Sequence, residues 1–157
     1  MIIHSSGITN NMQLNKQTDY ALRILIYLAM MEGNHLVTVD EISRKLNVAR
    51  NHLTKIVSKL SKLRYIYTFR GTRGGMKIHP RAYEHDIARI IEEFEPTFTV
   101  VECNILDCKM TGLCEFRNIL DKASNQFIKT LRQYTLDDLL PKDKSTNQIL
   151  FERFSKG

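Results

Sequence analysis

The sequence predicts a mainly α fold: a winged helix-turn-helix domain with a small β-hairpin wing, followed by a long C-terminal dimerisation helix. Three observations predict it. A capped short helix runs through a tight turn into a second amphipathic helix; β-branched and aromatic residues flank a glycine-rich turn directly afterwards; and apolar residues recur at steps of three and four from Glu115 to Tyr134. A further feature concerns chemistry rather than fold. All three cysteines, Cys103, Cys108 and Cys114, fall on one short loop.

A chain of 157 residues fits about one domain with a helical extension. Residues 1–11 read as an N-terminal extension, 12–83 as the winged domain, 84–140 as the cysteine loop with dimerisation helices, and 141–157 as a polar tail. Hydrophobic and charged contents of 43% and 25% are ordinary for a globular protein. No apolar run approaches the ~20 residues that span a membrane, and the first residues lack both a basic n-region and a long apolar h-region. A cytoplasmic protein is expected.

From Met12 to Met31, Leu14, Ala21, Leu22, Leu25, Ile26, Leu28 and Ala29 give helical spacing with one broad apolar face, stopped by Gly33 and Asn34. Asp19 lies in the first turn, where a carboxylate suits the helix dipole. Thr38 and Glu41 match a capping box for a short helix ending at Leu46. Asn47 suits the left-handed residue that closes it. The next helix, Ala49 to Leu63, puts Leu53, Ile56, Val57, Leu60 and Leu63 on one face and Arg50, Asn51, Thr54, Lys55, Ser58, Lys59 and Lys62 on the other. That is the division a recognition helix needs. Residues Tyr65 to Arg70 and Met76 to His79 then form the hairpin about Gly71-Thr72-Arg73-Gly74-Gly75. Tyr83 to Glu95 is a further helix ending before Pro96, and Thr135 caps a last turn from Leu136 to Leu140.

The charge distribution carries more than the net +6. Between Ile42 and Tyr83 stand eleven lysines and arginines and no Asp or Glu, out of 23 basic residues in all. A solvated helix face mixes signs, so this one-signed window reads as a surface for nucleic-acid phosphates. Candidate DNA contacts are Arg50, Asn51, His52, Lys55 and Lys59 from the recognition helix and Arg70 and Arg73 from the wing. Each has a plainer reading as a solvated side chain.

Three thiols spaced by four and five residues, with Gly112 to turn the chain, form a metal-ligand pattern. A single zinc more often takes Cys-x2-Cys pairs, so this spacing favours an iron-sulfur cluster. The alternative is three inert thiols, or one disulfide and a spare. Polar neighbours Asn104, Asp107 and Lys109 argue against a packed core segment. A cluster wants four ligands, so one must come from outside the loop. No nucleophile-base pattern or nucleotide motif is present, and a non-enzyme is expected.

Taken together, Leu14-Asn15-Lys16-Gln17-Thr18-Asp19-Tyr20-Ala21-Leu22-Arg23, Asn51-His52-Leu53, Arg70-Gly71-Thr72-Arg73-Gly74-Gly75, Val101-Glu102-Cys103 with the two later cysteines, and Tyr134-Thr135-Leu136 resemble the Rrf2 family of winged-helix repressors. The likeness runs from Met12 to about Leu140 and is strongest to the family's nitric-oxide-sensitive repressors. It implies a homodimer on a pseudo-palindromic double-stranded operator, with an iron-sulfur cluster, 4Fe-4S before 2Fe-2S, on Cys103, Cys108 and Cys114. It implies Asp19 of the other subunit as fourth ligand, Arg23 as a neighbouring charge, nitric oxide as effector, and operator release on cluster nitrosylation. Family members that regulate cluster assembly use a histidine shortly after the third cysteine; here Arg117 lies three residues after Cys114 and no histidine follows. The chain departs from the family in its eleven-residue N-terminal extension. The alternative within the family is a regulator sensing iron-sulfur status or redox state through the three thiols. Outside it stands an electron-transfer or catalytic iron-sulfur protein, for which no further cysteine motif exists.

Overall fold

The computed structural model describes residues 14–31, 35–98, 108–110 and 112–155. The N-terminal extension, the expected stop at Gly33 and Asn34, and Cys103 lie outside these residues. Helix α1 spans Lys16–Met30. It begins four residues later than its apolar spacing suggests because Asn15 caps it, the side-chain oxygen accepting from Thr18 N at 2.9 Å. Its inner face buries Ala21, Ile24, Leu25 and Leu28.

Helix α2, Val39–Leu46, starts at Thr38, whose hydroxyl accepts from Glu41 N at 3.1 Å. The Glu41 carboxylate accepts instead from Tyr27 Oη at 2.8 Å, so the expected box is half realised and its acid fastens α2 to α1. Burial and this carboxylate push the Tyr27 phenol well above its ordinary pKa. Asn47, at φ 51° and ψ 48°, closes α2 in the left-handed conformation. Helix α3, Arg50–Lys62, follows directly.

Strands β1 (Ile66–Phe69) and β2 (Gly75–Ile78) pair antiparallel, with Ile66 opposite Ile78 and Phe69 opposite Gly75. Met76 also exchanges backbone hydrogen bonds of 2.9 and 2.7 Å with Val37, which stitches the hairpin to the strand-like residue before α2. Only glycine fits at Gly75, since a Cβ there would stand 2.9 Å from both Leu36 Cβ and Val37 O.

The helix expected from Tyr83 to Glu95 is two helices, α4 (Arg81–Glu84) and α5 (Ile87–Phe94). Asp86 causes the break: its side chain caps α5 by accepting from Arg89 N at 2.8 Å, and this aspartate bridges Thr135. Helix α6, Glu115–Leu131, precedes a 3-10 turn at Leu136–Leu139, where Thr135 and Asp138 form a capping box. Those hydrogen bonds from Thr135 hold the Asp138 carboxyl below its usual pKa. Leu136 is fully buried, and Ile87 N donates to Tyr134 O at 2.8 Å, so the chain leaving α6 returns to the main core. The stretch whose composition gives only a polar tail contains helix α7, Lys144–Ser155; its Phe154 ring meets Tyr27 edge-on at 5.2 Å.

The core gathers α1, α2, α3, the hairpin and α5 around Ile24, Leu25, Ile42, Leu53, Ile56, Leu60, Met76 and Ile90. Helix α6 contributes no buried residue. Its Leu131 packs against the core while most of its length is exposed.

Candidate nucleic-acid interface and metal centre

Burial of Leu53, Ile56, Val57 and Leu60 fixes which way α3 faces. Arg50, Asn51, His52 and Lys55 are all exposed on the outward side. No side chain caps α3 at Ala49; His52 N donates to Ala49 O at 3.0 Å, and Arg50 stands exposed at that end. Arg50 Nε lies 3.3 Å from Asp40 Oδ1, with both side chains more than half exposed. Such a surface pair contributes ~0–1 kcal/mol and is readily given up to a phosphate.

Arg70 and Arg73 are exposed at the wing tip, about Gly71 with its φ of +107°. Along the strand behind them, Lys77 Nζ stands 5.7 Å from the Tyr67 ring centre and 5.6 Å from that of Phe69. Lys59 is placed differently from the other expected contacts. Its ammonium lies 4.5 Å over the ring of buried Phe94, the last residue of α5, and the side chain is half-buried.

Of the three cysteines, the described residues include two. Cys114 is the N-cap of α6 and half-buried; Cys108 is exposed. Between them Gly112 adopts φ +82°, and Leu113 N donates to Met110 O at 3.0 Å, giving the tight return expected of this glycine. No side chain caps α6. Cys114 thus stands at the head of a 17-residue helix. Soft thiol donors on a short turn fit an iron-sulfur cluster by the chemistry of the donor set. Among the described residues no three His, Cys, Asp or Glu side chains converge as a metal site.

Asp19 occupies the first turn of α1, where its carboxylate is held by Arg23 Nε at 2.9 Å; both are substantially exposed. Between the two expected roles of Arg23, the single chain shows the ion pair. The head of α1 is itself anchored. Asn15 N donates to Glu95 Oε1 at 2.8 Å, and its Nδ2 donates to Glu95 Oε2 at 2.9 Å and to Phe94 O at 3.2 Å. The helix bearing Asp19 is thus joined to the segment that leads into the cysteine loop.

Apolar residues of α6 face solvent in the single chain: Phe116 is 62% exposed and Ile119 54%, with Leu113 just ahead of the helix at 89%. Sequence reasoning missed Asp40, two positions ahead of the acid-free window, as a partner of Arg50, and the Asn15–Glu95 pair. The signal that could have found the cap is the residue type itself, since asparagine is among the favoured helix N-caps. No helix among the described residues is long and apolar enough to cross a membrane.

The model of one protein family, described as Rrf2, iron-dependent transcriptional regulator, matches residues 14–142. A relative from Geobacillus kaustophilus (strain HTA426), the HTH-type transcriptional regulator NsrR, is 36% identical over 145 residues, covering 90% of this chain and 99% of its own. The protein of the same name from Bacillus licheniformis is 33% identical over 142 residues, covering 88% and 99%. Among solved structures, CymR, the global cysteine regulator of B. subtilis, superposes with a TM-score of 0.64 at 23% identity over 81% of this chain and 95% of its own. Helix α7 begins beyond the last residue matched by the family model.

Proposed function

Since the chain belongs to the Rrf2 family, and so is a DNA-binding transcriptional regulator and not an enzyme, we propose that it is an iron-sulfur-dependent repressor that senses nitric oxide. It binds a pseudo-palindromic operator as a homodimer. The observation that carries this reading is Cys114 at the head of α6, the helix whose apolar stripe stands in solvent, with Cys108 six residues before it. A cluster there lies where two copies of the chain meet.

Cys103, Cys108 and Cys114 hold the cluster, 4Fe-4S before 2Fe-2S, and Asp19 of the second protomer completes the set. When bound, the cluster supplies an iron whose hard carboxylate ligand is weaker than its soft thiolates and is open to a diatomic molecule. The chain's own residues do the rest. Asp19 has two partners available, the centre and Arg23 four residues along the same helix, so losing the first does not leave its charge unpaired. Arg50, Asn51, His52 and Lys55 address the major groove, and Arg70 and Arg73 reach phosphates or a narrow minor groove. Two recognition helices must stand about one DNA turn, ~34 Å, apart to fill both half-sites. A rotation of the protomers about α6 spoils that spacing.

Anaerobic purification with iron and sulfide analysis tests this, followed by absorption spectra and operator binding before and after a stoichiometric nitric oxide donor. The expected result is a cluster spectrum and tight binding, both lost on addition of nitric oxide. Asp19→Ala should alter the spectrum and the response. Equal operator affinity of loaded and demetallated protein at one ionic strength overturns the reading; a metal-free protein that answers only to oxidant would be a thiol sensor instead.

A further inference from the structure

Three segments meet at one point on the flank of the recognition helix. Lys59, in the last turn of α3, sets its ammonium 4.5 Å over the Phe94 ring. Phe94 ends α5, and its carbonyl accepts from Asn15 Nδ2; the next residue, Glu95, takes two further hydrogen bonds from Asn15. Asn15 caps α1, and its own carbonyl accepts from Asp19 N at 3.1 Å. A groove lined by Asn15, Lys16, Gln17, Lys59, Phe94, Glu95 and Pro96 marks the junction.

Each strand of this knot leads somewhere. α3 carries the DNA-reading side chains, the first turn of α1 carries Asp19, and the chain leaving Glu95 reaches Cys103 eight residues later. Lys59 follows Lys55 by one helical turn, but its half-buried side chain is drawn to the flank of α3 and its ammonium is held over a buried ring. The cation–ring contact is also specific in distance and direction. A small shift of Glu95 or of the α1 head therefore displaces Phe94, and with it the seat of Lys59.

We infer that Lys59, resting on Phe94, is not a DNA contact but the positioning residue through which the Asp19–cysteine-loop junction sets the pose of the recognition helix. This rests on the proposed coupling of cluster and operator. Communication between sites needs a physical connection that both sites bias, and this contact joins α3 to the helix head that lends Asp19 to the partner's cluster and to the segment that precedes this chain's own cysteines.

The test compares operator affinity of loaded and chelator-stripped protein over a salt series, in the wild type and in Lys59→Met, Lys59→Arg and Phe94→Leu. Cluster absorbance and thermal unfolding of each variant are recorded in parallel. The wild type should differ between its two states by roughly tenfold or more, and Lys59→Met should bring that ratio to within about threefold of one, against a usual span of ~5–150-fold for coupled sites. Its salt dependence should stay that of the wild type. Lys59→Arg, which keeps a cation over the ring, should keep the ratio, and Phe94→Leu, which leaves every charge in place, should lose it. If Lys59→Met weakens both states alike and flattens the salt slope by about one unit per contact, the residue touches phosphate and the inference is overturned. It is equally overturned if Lys59→Met retains the wild-type ratio. A wild-type ratio of one removes the parent reading and this one together.

Discussion

Replacing Ile119 by Asp on the outer face of α6 tests the dimer on which the functional reading depends. Ile119 is 54% exposed in the single chain, and complete burial of such a side chain is worth about 1.5–3 kcal/mol. Roughly half of that, about 1 kcal/mol, remains to be gained at a subunit seam. A two-fold interface uses the same residue twice, so its apolar contribution is about 2 kcal/mol per dimer. At about 1.4 kcal/mol per tenfold, Ile119→Asp raises the dimer dissociation constant at least ~30-fold before the cost of two desolvated carboxylates is added. Sedimentation velocity across a concentration series measures the constant, and operator binding reads its consequence. Because Ile119 is exposed and α6 has no fully buried residue in the single chain, the variant protomer should keep its fold. An unchanged dissociation constant would refute the reasoning, since the stripe would then be only a solvent-facing surface.

Two further outcomes are expected. Leu136 is fully buried where the 3-10 turn returns to α1 and α4, so Leu136→Ala should cost about 2–5 kcal/mol in a denaturant titration, as core truncations do; a cost below 1 kcal/mol would show that the turn does not depend on this anchor. Asp143 accepts from Ser145 Oγ and from Thr146 N, and these hydrogen bonds bring its carboxyl down to about 2. A carboxyl lowered on folding contributes stability above its unfolded value of 3.8, lost as pH falls towards 2. Amide exchange in α7 should therefore accelerate over that interval, and Asp143→Asn should remove the pH dependence without altering exchange in α5.

The helix-turn-helix, the hairpin and the basic surface were legible in the sequence because local chemistry dictates them. Thr38 and Asn47 punctuate α2 by side-chain capping and a left-handed backbone; Leu53, Ile56 and Leu60 orient α3; and an acid-free window needs no folding to be recognised. The cysteine loop was legible for the same reason, as three residues of one reactive kind close together along the chain. Boundaries failed where a distant partner decided them. Asp86 splits a helix that apolar spacing runs through, because its side chain caps α5 while Thr135 meets it from the far side of α6.

What only the tertiary structure decided lies in side chains with two partners equally available to their chemistry. A lysine on an amphipathic helix reads as a phosphate contact, and nothing in its neighbours says that the ring of Phe94, 35 residues later in the chain, lies beneath it. Glu41 was free to close its own capping box or to take the Tyr27 hydroxyl, and Asp19 is seen with Arg23 in the single chain. Sequence order fixes which groups are within reach along the backbone. Packing selects among them, since burial makes an unpaired donor or charge costly and the arrangement that leaves fewest unpaired prevails.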